Sequence, residues 1–482
     1  MAYILKYSSF KRSFFLFFML KSQFLRCSGL LAVFIWLLSG VASVYGKNVE
    51  ITILATADLH GETSQIRQVI APLVKDFKRR QPDSVIYVDS GDTAQGTFAV
   101  NRLRGKGVLT LLGEAGCDIW VPGNHEIEYG FEAFKSMVRE FPGKVLAANL
   151  LAPELADKVG DLAVVEKKGV KIAFIGLMLK DMNNCFPVAE KRFQTLPGAA
   201  TLQRSVQRAK AQGAEVIVLL RHAGKYGGGE NLHTILRNTP EISLVIGAHT
   251  HIAEPGCRIG NAWYVQPPAY GNGIAVVKLF FDPASRQVVQ IESQLQKLKK
   301  VHTYAGAAAR KKAPVPVGKN ENFAAEAIRR ALNCDLAIYA VGSREKLQKL
   351  LNKKSPVVND YFRVFPYYDP IVKVTVSGGE FQAILREYSK FAYKRKQFLS
   401  VDGCKFSVRK GKLQSLEFAV SKDRYTLAVS AFAAAGAGGQ LPGVRRILYA
   451  RAENANAENA PAILDILCKN QLAVSNAGDP GK

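Results

Sequence analysis

Histidine is scarce in this chain, with seven residues in 482. Cysteine is as sparse: seven residues stand singly with no Cys-x-x-Cys pair, which argues against a zinc ribbon and against a dense disulfide framework. No convincing internal repeat appears, so a repeat architecture is not indicated. The first 46 residues hold no acidic side chain, and over the whole chain 40 Asp and Glu face 65 Lys and Arg, a net charge of +25. Such a shortage of acid favours anionic partners without choosing among phosphorylated small molecules, nucleic acid and an anionic membrane surface. What is present is ordinary for folded globular protein: 48% apolar residues, 22% charged ones, and length for two or three domains.

Residues 1–46 combine Lys6, Lys11, Arg12, Lys21 and Arg26 with an apolar run over 29–38 and small residues near Ala42, Ser43 and Gly46. This is a secretory signal pattern. Read from Met19 its proportions become ordinary, so residues 1–18 are read as an over-long start. Export to a periplasmic or extracellular location is expected. The competing reading is a retained anchor, and contact with a membrane is expected only through an uncleaved signal.

From residue 48 to about 282 short β-branched runs alternate with amphipathic stretches. Strands are predicted at 51–57, 84–90, 118–122, 144–150, 171–178, 215–220, 243–248 and 273–281, and helices at 65–80, 130–141 and 201–213. That alternation predicts an α/β layered domain over 47–292 with ligands at the C-terminal ends of its strands. Residues 293–319, basic and then Pro-rich, read as a linker. A smaller domain is expected over 320–472, with helices at 321–332 and 379–396, strands near 335–341 and 371–378, and a polar loop at 452–462. Residues 473–482 read as a tail.

Five predicted strands end in potential metal ligands: Asp58 and His60 in "ATADLHGE", Asp92 in "VDSGDTAQG", Asn124 and His125 in "VPGNHE", His222 in "LLRHAGK", and His249 and His251 in "IGAHTH". Five of the seven histidines fall in these motifs. Imidazole and carboxylate suit Zn, Mn, Fe or Co, and an Asn carbonyl fills a coordination place without adding charge. Each motif alone is weak, since an isolated Asp-x-His or His-x-His is usually a surface or capping accident. Chance explains the set badly, because all five stand at the same place relative to their strands.

The order Asp-x-His, Gly-Asp, Gly-Asn-His-Glu, His, Gly-x-His-x-His resembles the calcineurin-like metallophosphoesterases, and the layout of the chain resembles the secreted bacterial 5′-nucleotidase and UDP-sugar hydrolase branch. The resemblance implies a layered β-sandwich domain flanked by helices, followed by a smaller α+β C-terminal substrate domain. It implies two divalent metal ions, one held by Asp58, His60 and His251 and the other by Asn124, His222 and His249, with Asp92 bridging them. It further implies hydrolysis of a small-molecule phosphate ester, nucleotides first, by in-line attack of a metal-bound hydroxide, with His125 stabilising charge or protonating the leaving oxygen. No specific nucleic-acid partner is expected.

Departures from the family pattern fall outside the metal motifs. Glu128 stands where the family has an Asp that orients the catalytic His; it reads equally as that orienter or as a cap for the helix starting near Gly130. Arg221 replaces a Ser and is expected to face away from the metals. In the C-terminal half "YAVGSREK" keeps only Arg344 of a charged segment, and "FPYYDP" offers Tyr367 and Tyr368, either as a stacking face for a base or as core. Gln440 and Gly438 in "AGAGGQL" stand where an aromatic residue and an Asp are expected. The hydrolytic motifs are complete and the nucleoside-selecting ones are not. The same chemistry on a cyclic nucleotide, sugar phosphate or nucleotide sugar, or a sulfur-linked substrate, therefore stays open, as does a non-catalytic metal-stabilised binding protein.

Overall fold

The computed structural model describes residues 48–180, 182, 192–227, 230–301, 308–313, 320–454 and 460–468. The signal segment 1–46 and the tail 473–482 lie outside these. The chain groups into two compact units, a small one containing Val49 and Phe280–Val289, and a large one of Glu50–Leu279 with the described residues from Gln290 onward. Every site residue below belongs to the large unit.

Strands β1 (Val49–Thr56), β2 (Val85–Asp89), β3 (Ile119–Trp120), β4 (Lys144–Leu146) and β5 (Val159–Gly160) pair in parallel in that order. A second sheet contains β6 (Leu162–Lys167), β7 (Val170–Leu177), β8 (Val216–Arg221), β9 (Ile242–Ile246), β10 (Glu254–Ile259) and β11 (Ala262–Gln266) in the order β10-β11-β9-β8-β7-β6. Strands β12 (Gly273–Asp282) and β13 (Gln287–Lys297) extend the first sheet beside β1.

Buried parallel strands carry continuous apolar runs because both faces must be covered. One face of the first sheet, with Leu54, Val85 and Tyr87, packs with Ile66, Ile70, Val74, Leu112 and Phe134 from the helical segments. One face of the second, with Ile175, Ile217, Leu219 and Val245, packs on Leu202, Val206, Leu232 and Ile235. The opposite faces, with Ile53, Ile86, Val88, Phe174, Val218, Leu220 and Ile246, are also fully buried. Two sheets packed face to face between helical layers account for that pattern. Parallel pairing brings the C-terminal ends of β1–β3 to one edge, and those of β7–β9 to the corresponding edge of the other sheet.

The C-terminal region forms a four-stranded sheet from β14 (Leu336–Val341), β15 (Ile371–Ser377), β16 (Phe398–Asp402) and β19 (Arg424–Ser430), in the order β15-β19-β14-β16. A hairpin of β17 (Cys404–Arg409) and β18 (Lys412–Phe418) accompanies it. The stretch read as a linker begins as the end of β13 and later supplies Ala309 and Ala313 to the C-terminal core. The polar stretch from 452 starts inside helix Pro442–Asn454.

Candidate dinuclear metal centre

Asp58 and His60 follow β1, Asp92 follows β2, Asn124 and His125 follow β3, His222 follows β8, and His249 and His251 follow β9. Ligand atoms of Asp58, His60 and His251 lie within 4.8 Å of one another, as do those of Asp92, His222 and His249. His222 Nε2 stands 3.1 Å from Asp92 Oδ2 and 3.2 Å from Asn124 Oδ1. Asp58 Oδ1 is 3.7 Å from His251 Nε2, while both Asp58 oxygens accept from the His249 amide.

The backbone is shaped for this. Asp58, His60, Asp92, His249 and His251 all adopt left-handed conformations, with φ between 47° and 71°. Such conformations cost about 1–3 kcal/mol each for non-glycine residues and persist where the surroundings enforce them. The loops after β1 and β2 are laced by backbone bonds from Asp58 N to Gly91 O and from His60 N to Asp92 O. Gly123 leaves no room for a side chain, since a Cβ there would lie 2.2 Å from Asp92 Oδ1 and 2.6 Å from His222 Cε1.

The ring nitrogens not facing the cluster have partners. His222 Nδ1–H donates to Ser90 O at 2.7 Å, His60 Nδ1 pairs with Gln95 Oε1 at 3.1 Å, and His251 Nδ1 meets the Tyr270 hydroxyl at 3.1 Å. The two carbonyl-type acceptors fix Nδ1–H in His222 and His60, and all three partners aim the other nitrogen at the cluster. His60 Nε2 and His251 Nε2 then come within 2.9 Å. Burial lowers the pKa of both rings, that of His60 to about 4, so two neutral nitrogens face each other. Ligand atoms about 3 Å apart are what a cation with bonds of about 2 Å imposes. The donor set therefore fits a divalent metal.

His125 is built differently. Its Nδ1–H donates to Glu128 Oε2 at 2.7 Å, and its amide donates to Asp92 Oδ1 at 2.9 Å. Burial pushes the ring pKa down, but the charge of Asp92 and the bond to Glu128 outweigh it and raise it to about 9. Burial raises the Glu128 carboxyl against the pull of His125. Glu128 Oε2 is engaged by the His125 ring, and no side-chain cap bond is made at Gly130 where helix Phe131–Glu140 starts.

From the C-terminal region Tyr367 stacks on His125 with ring centroids 5.9 Å apart and planes at 9°. Tyr368 packs edge-on against Tyr129. Asn101 fastens this segment, donating to Pro366 O at 2.8 Å while its own oxygen accepts from Gly96 N and Tyr129 Oη. Arg344 is not brought to the cluster by any bond: it pairs with Glu321 at 2.8 Å and lies over Phe398. Arg221 turns away, as alternation along a strand requires, and donates to Gly224 O and Glu230 O. Gln440 is held by Arg395.

Three residues escaped the sequence reading. Gln95 lies within a motif quoted for Asp92, and Tyr270 follows β11 in "QPPAYG", a Gly-flanked turn at a strand end, which was the available signal. Glu126 sits inside the Asn-His motif; fully buried, it accepts from the amides of Asp92, Thr93, Ala94 and Gly123 at 2.6–3.0 Å. It thereby ties the Asp92 loop to the Asn124 loop. Hydrogen bonds to a charged group contribute roughly 1.5–3 kcal/mol each and are not additive. Glu126→Gln is expected to lower unfolding stability by roughly 2–4 kcal/mol and to weaken metal retention, read by thermal melting with and without added Mn.

Comparison with known proteins agrees with this architecture. The family model "Calcineurin-like phosphoesterase" matches residues 51–253, and "5'-nucleotidase, C-terminal domain" matches residues 297–444. A 5'-nucleotidase-related protein of Glossina morsitans morsitans is 23% identical over 313 residues, covering 58% of this chain and 55% of that protein. An endonuclease of Bacillus subtilis (strain 168) is 22% identical over 410 residues, 70% of this chain and 33% of the relative. The 5'-nucleotidase of Rattus norvegicus is 24% identical over 251 residues, 45% and 41% of the two chains. The alignments thus span between a third and about half of these relatives' lengths. Among solved structures, a 5'-nucleotidase precursor of Thermus thermophilus superposes with a TM-score of 0.59 at 17% identity, covering 88% of this chain and 97% of that one. The sulfate thiohydrolase SoxB of the same organism gives 0.55 at 15% identity, over 88% and 94%. These last two are likenesses of fold. With both family models matched in order, the chain carries a calcineurin-like phosphoesterase domain followed by a 5'-nucleotidase C-terminal domain.

Proposed function

We propose that the protein hydrolyses phosphate esters, nucleotides foremost, at two divalent cations. Asp58, His60 and His251 would hold one, Asn124, His222 and His249 the other, and Asp92 would lie between them. The observation that carries this reading is the convergence of two ligand groups at the strand ends of a domain of this family. When bound, the cations supply Lewis-acid neutralisation of phosphoryl charge and activation of water as a nucleophile.

This chain's own residues supply the rest. Ser90 O and Gln95 Oε1 take the Nδ1 protons of His222 and His60, so that each presents Nε2, and the Tyr270 hydroxyl positions His251 through its Nδ1. Glu126 fixes the spacing of the Asp92 and Asn124 loops. His125, with Nδ1–H given to Glu128, keeps Nε2 available for a proton, and the leaving oxygen takes that proton as the ester bond breaks. Tyr367 borders the ring of His125 on the side of the C-terminal region.

One observation favours a second reading, the same hydrolysis on an ester other than a plain nucleoside monophosphate. Gln440, in the position of a base-stacking ring, is engaged by Arg395, and Arg344 by Glu321. The signal-like pattern of residues 1–46 supports export. No helix among the described residues is long and apolar enough to cross a membrane.

The test is a metal-replete hydrolysis screen over nucleoside monophosphates, cyclic nucleotides, nucleotide sugars and sugar phosphates, read by released phosphate. Turnover of at least one class is expected, abolished by chelation and restored by Mn or Co. No release from any ester with metal restored would contradict the reading.

A further inference from the structure

Beyond the Asp92 loop, helix Phe98–Arg102 leads into a turn whose Arg104 has φ 50°. This segment, residues 365–370 and the stretch 460–468 surround a cavity of about 260 Å³. Its walls include the rings of Phe98, Phe362, Tyr367 and Tyr368, and Arg102, Arg104 and Asp465 supply its charge. Neither guanidinium makes a side-chain hydrogen bond or ion pair among the described residues; Arg104 lies over the Tyr368 ring at 5.2 Å. Asp465 forms no ion pair among them either. Burial raises its carboxyl, against the pull of Arg104 and Arg102. The Tyr368 hydroxyl is buried without a partner among the described residues. Two cations thus face a cavity that contains one weakly acidic carboxyl and flat apolar walls.

The cavity adjoins the metal centre through one ring. Tyr367 both lines it and stacks on His125, and Asn101 both lines it and anchors Pro366 beneath that tyrosine. Tyr367 is thus the ring shared by the cavity and the His125 edge of the cluster. The volume sits just below the roughly 300–1,000 Å³ of typical ligand sites, enough for a phosphate and part of a ring but not for a second nucleoside.

We propose that this cavity is an anion subsite of the active site, in which Arg102 and Arg104 receive a second phosphate carried on the leaving group of the substrate. The proposal rests on the phosphoesterase reading above. Guanidinium groups suit the role because their planar forks bind phosphate oxygens in pairs. It assigns specificity for the second phosphate to two arginines of the catalytic domain, in a cavity whose other walls come from the C-terminal region.

The test uses the full chain and the variant Arg102→Gln/Arg104→Gln, with adenosine 3′,5′-bisphosphate and adenosine 5′-monophosphate as probes. In the first arm, calorimetric titration in EDTA removes turnover. The double variant is expected to bind the bisphosphate roughly tenfold or more weakly, with a much smaller change for the monophosphate. Equal weakening of both probes, or of neither, would overturn the subsite. In the second arm, with Mn restored, the ratio of kcat/KM for bisphosphate over monophosphate should fall by a similar factor. Arg104→Glu, at an exposed position, should move that ratio the same way. If the wild-type chain releases no phosphate in the second arm, the phosphoesterase reading fails while the first arm still decides the subsite.

Discussion

Asp92→Asn is expected to lower turnover by roughly 10⁴-fold or more and to strip metal from the protein. Asp92 is 1% exposed and is the carboxylate shared between the two loops of the cluster, with Oδ2 on His222 and Oδ1 on the His125 amide. Burial opposes its charge, yet the charges of His222 and His125 and the bond to His222 hold its carboxyl well below the ordinary range. Asparagine keeps the shape and an oxygen for the His125 amide. It removes the negative charge that two cations held there would need between them. The variant should therefore fold and show its loss in metal content as well as rate, measured together on the same preparation. Full activity, or unchanged metal with lost activity, would show that Asp92 does not join the two sites.

The second large effect is expected for His125→Asn, a fall in kcat of roughly 10²–10⁴-fold with metal content unchanged. His125 belongs to neither ligand group, so its removal leaves both triads intact. Its proton is held by Asp92 and Glu128, which keep the metal-free imidazole protonated at neutral pH. Cations bound beside Asp92 would act in the opposite direction and bring that pKa down toward the working range of a general acid. A substrate with a good leaving group, such as a nitrophenyl ester, needs this proton less and should lose less rate. Equal losses on good and poor leaving groups would assign His125 to positioning instead.

The convergence of the candidate ligands was legible because each member ends an apolar run, and parallel pairing sends the ends of such runs to one edge. Five strand ends could be located without knowing how the sheets pack. The strain was not legible: nothing in "ADLH" or "AHTH" announces four residues with positive φ, since these conformations arise from bonds between loops such as His60 N to Asp92 O. Glu126 was missed for a related reason. A carboxylate that accepts four amides, three of them from a loop more than thirty positions upstream in the chain, leaves no periodic trace.

The short helices Phe98–Arg102 and Val108–Glu114 lie in a Gly-rich stretch that offers few turns of apolar periodicity, so Arg102 and Arg104 passed unremarked. In the C-terminal half the hairpin β17–β18 has only one sheltered face, and its alternation is interrupted by a register shift between Ser407 and Val408. Helix Pro442–Asn454 runs into "AENANAENA", whose small polar residues carry no apolar periodicity and so read as a loop.

Metal content decides the central claim most directly. Protein purified in EDTA, loaded with Mn, Zn, Fe or Co and desalted, should retain two ions per chain, one for each ligand group, and Asp92→Asn should retain fewer. A wild-type chain that retains no divalent ion under any of these loadings would contradict the account.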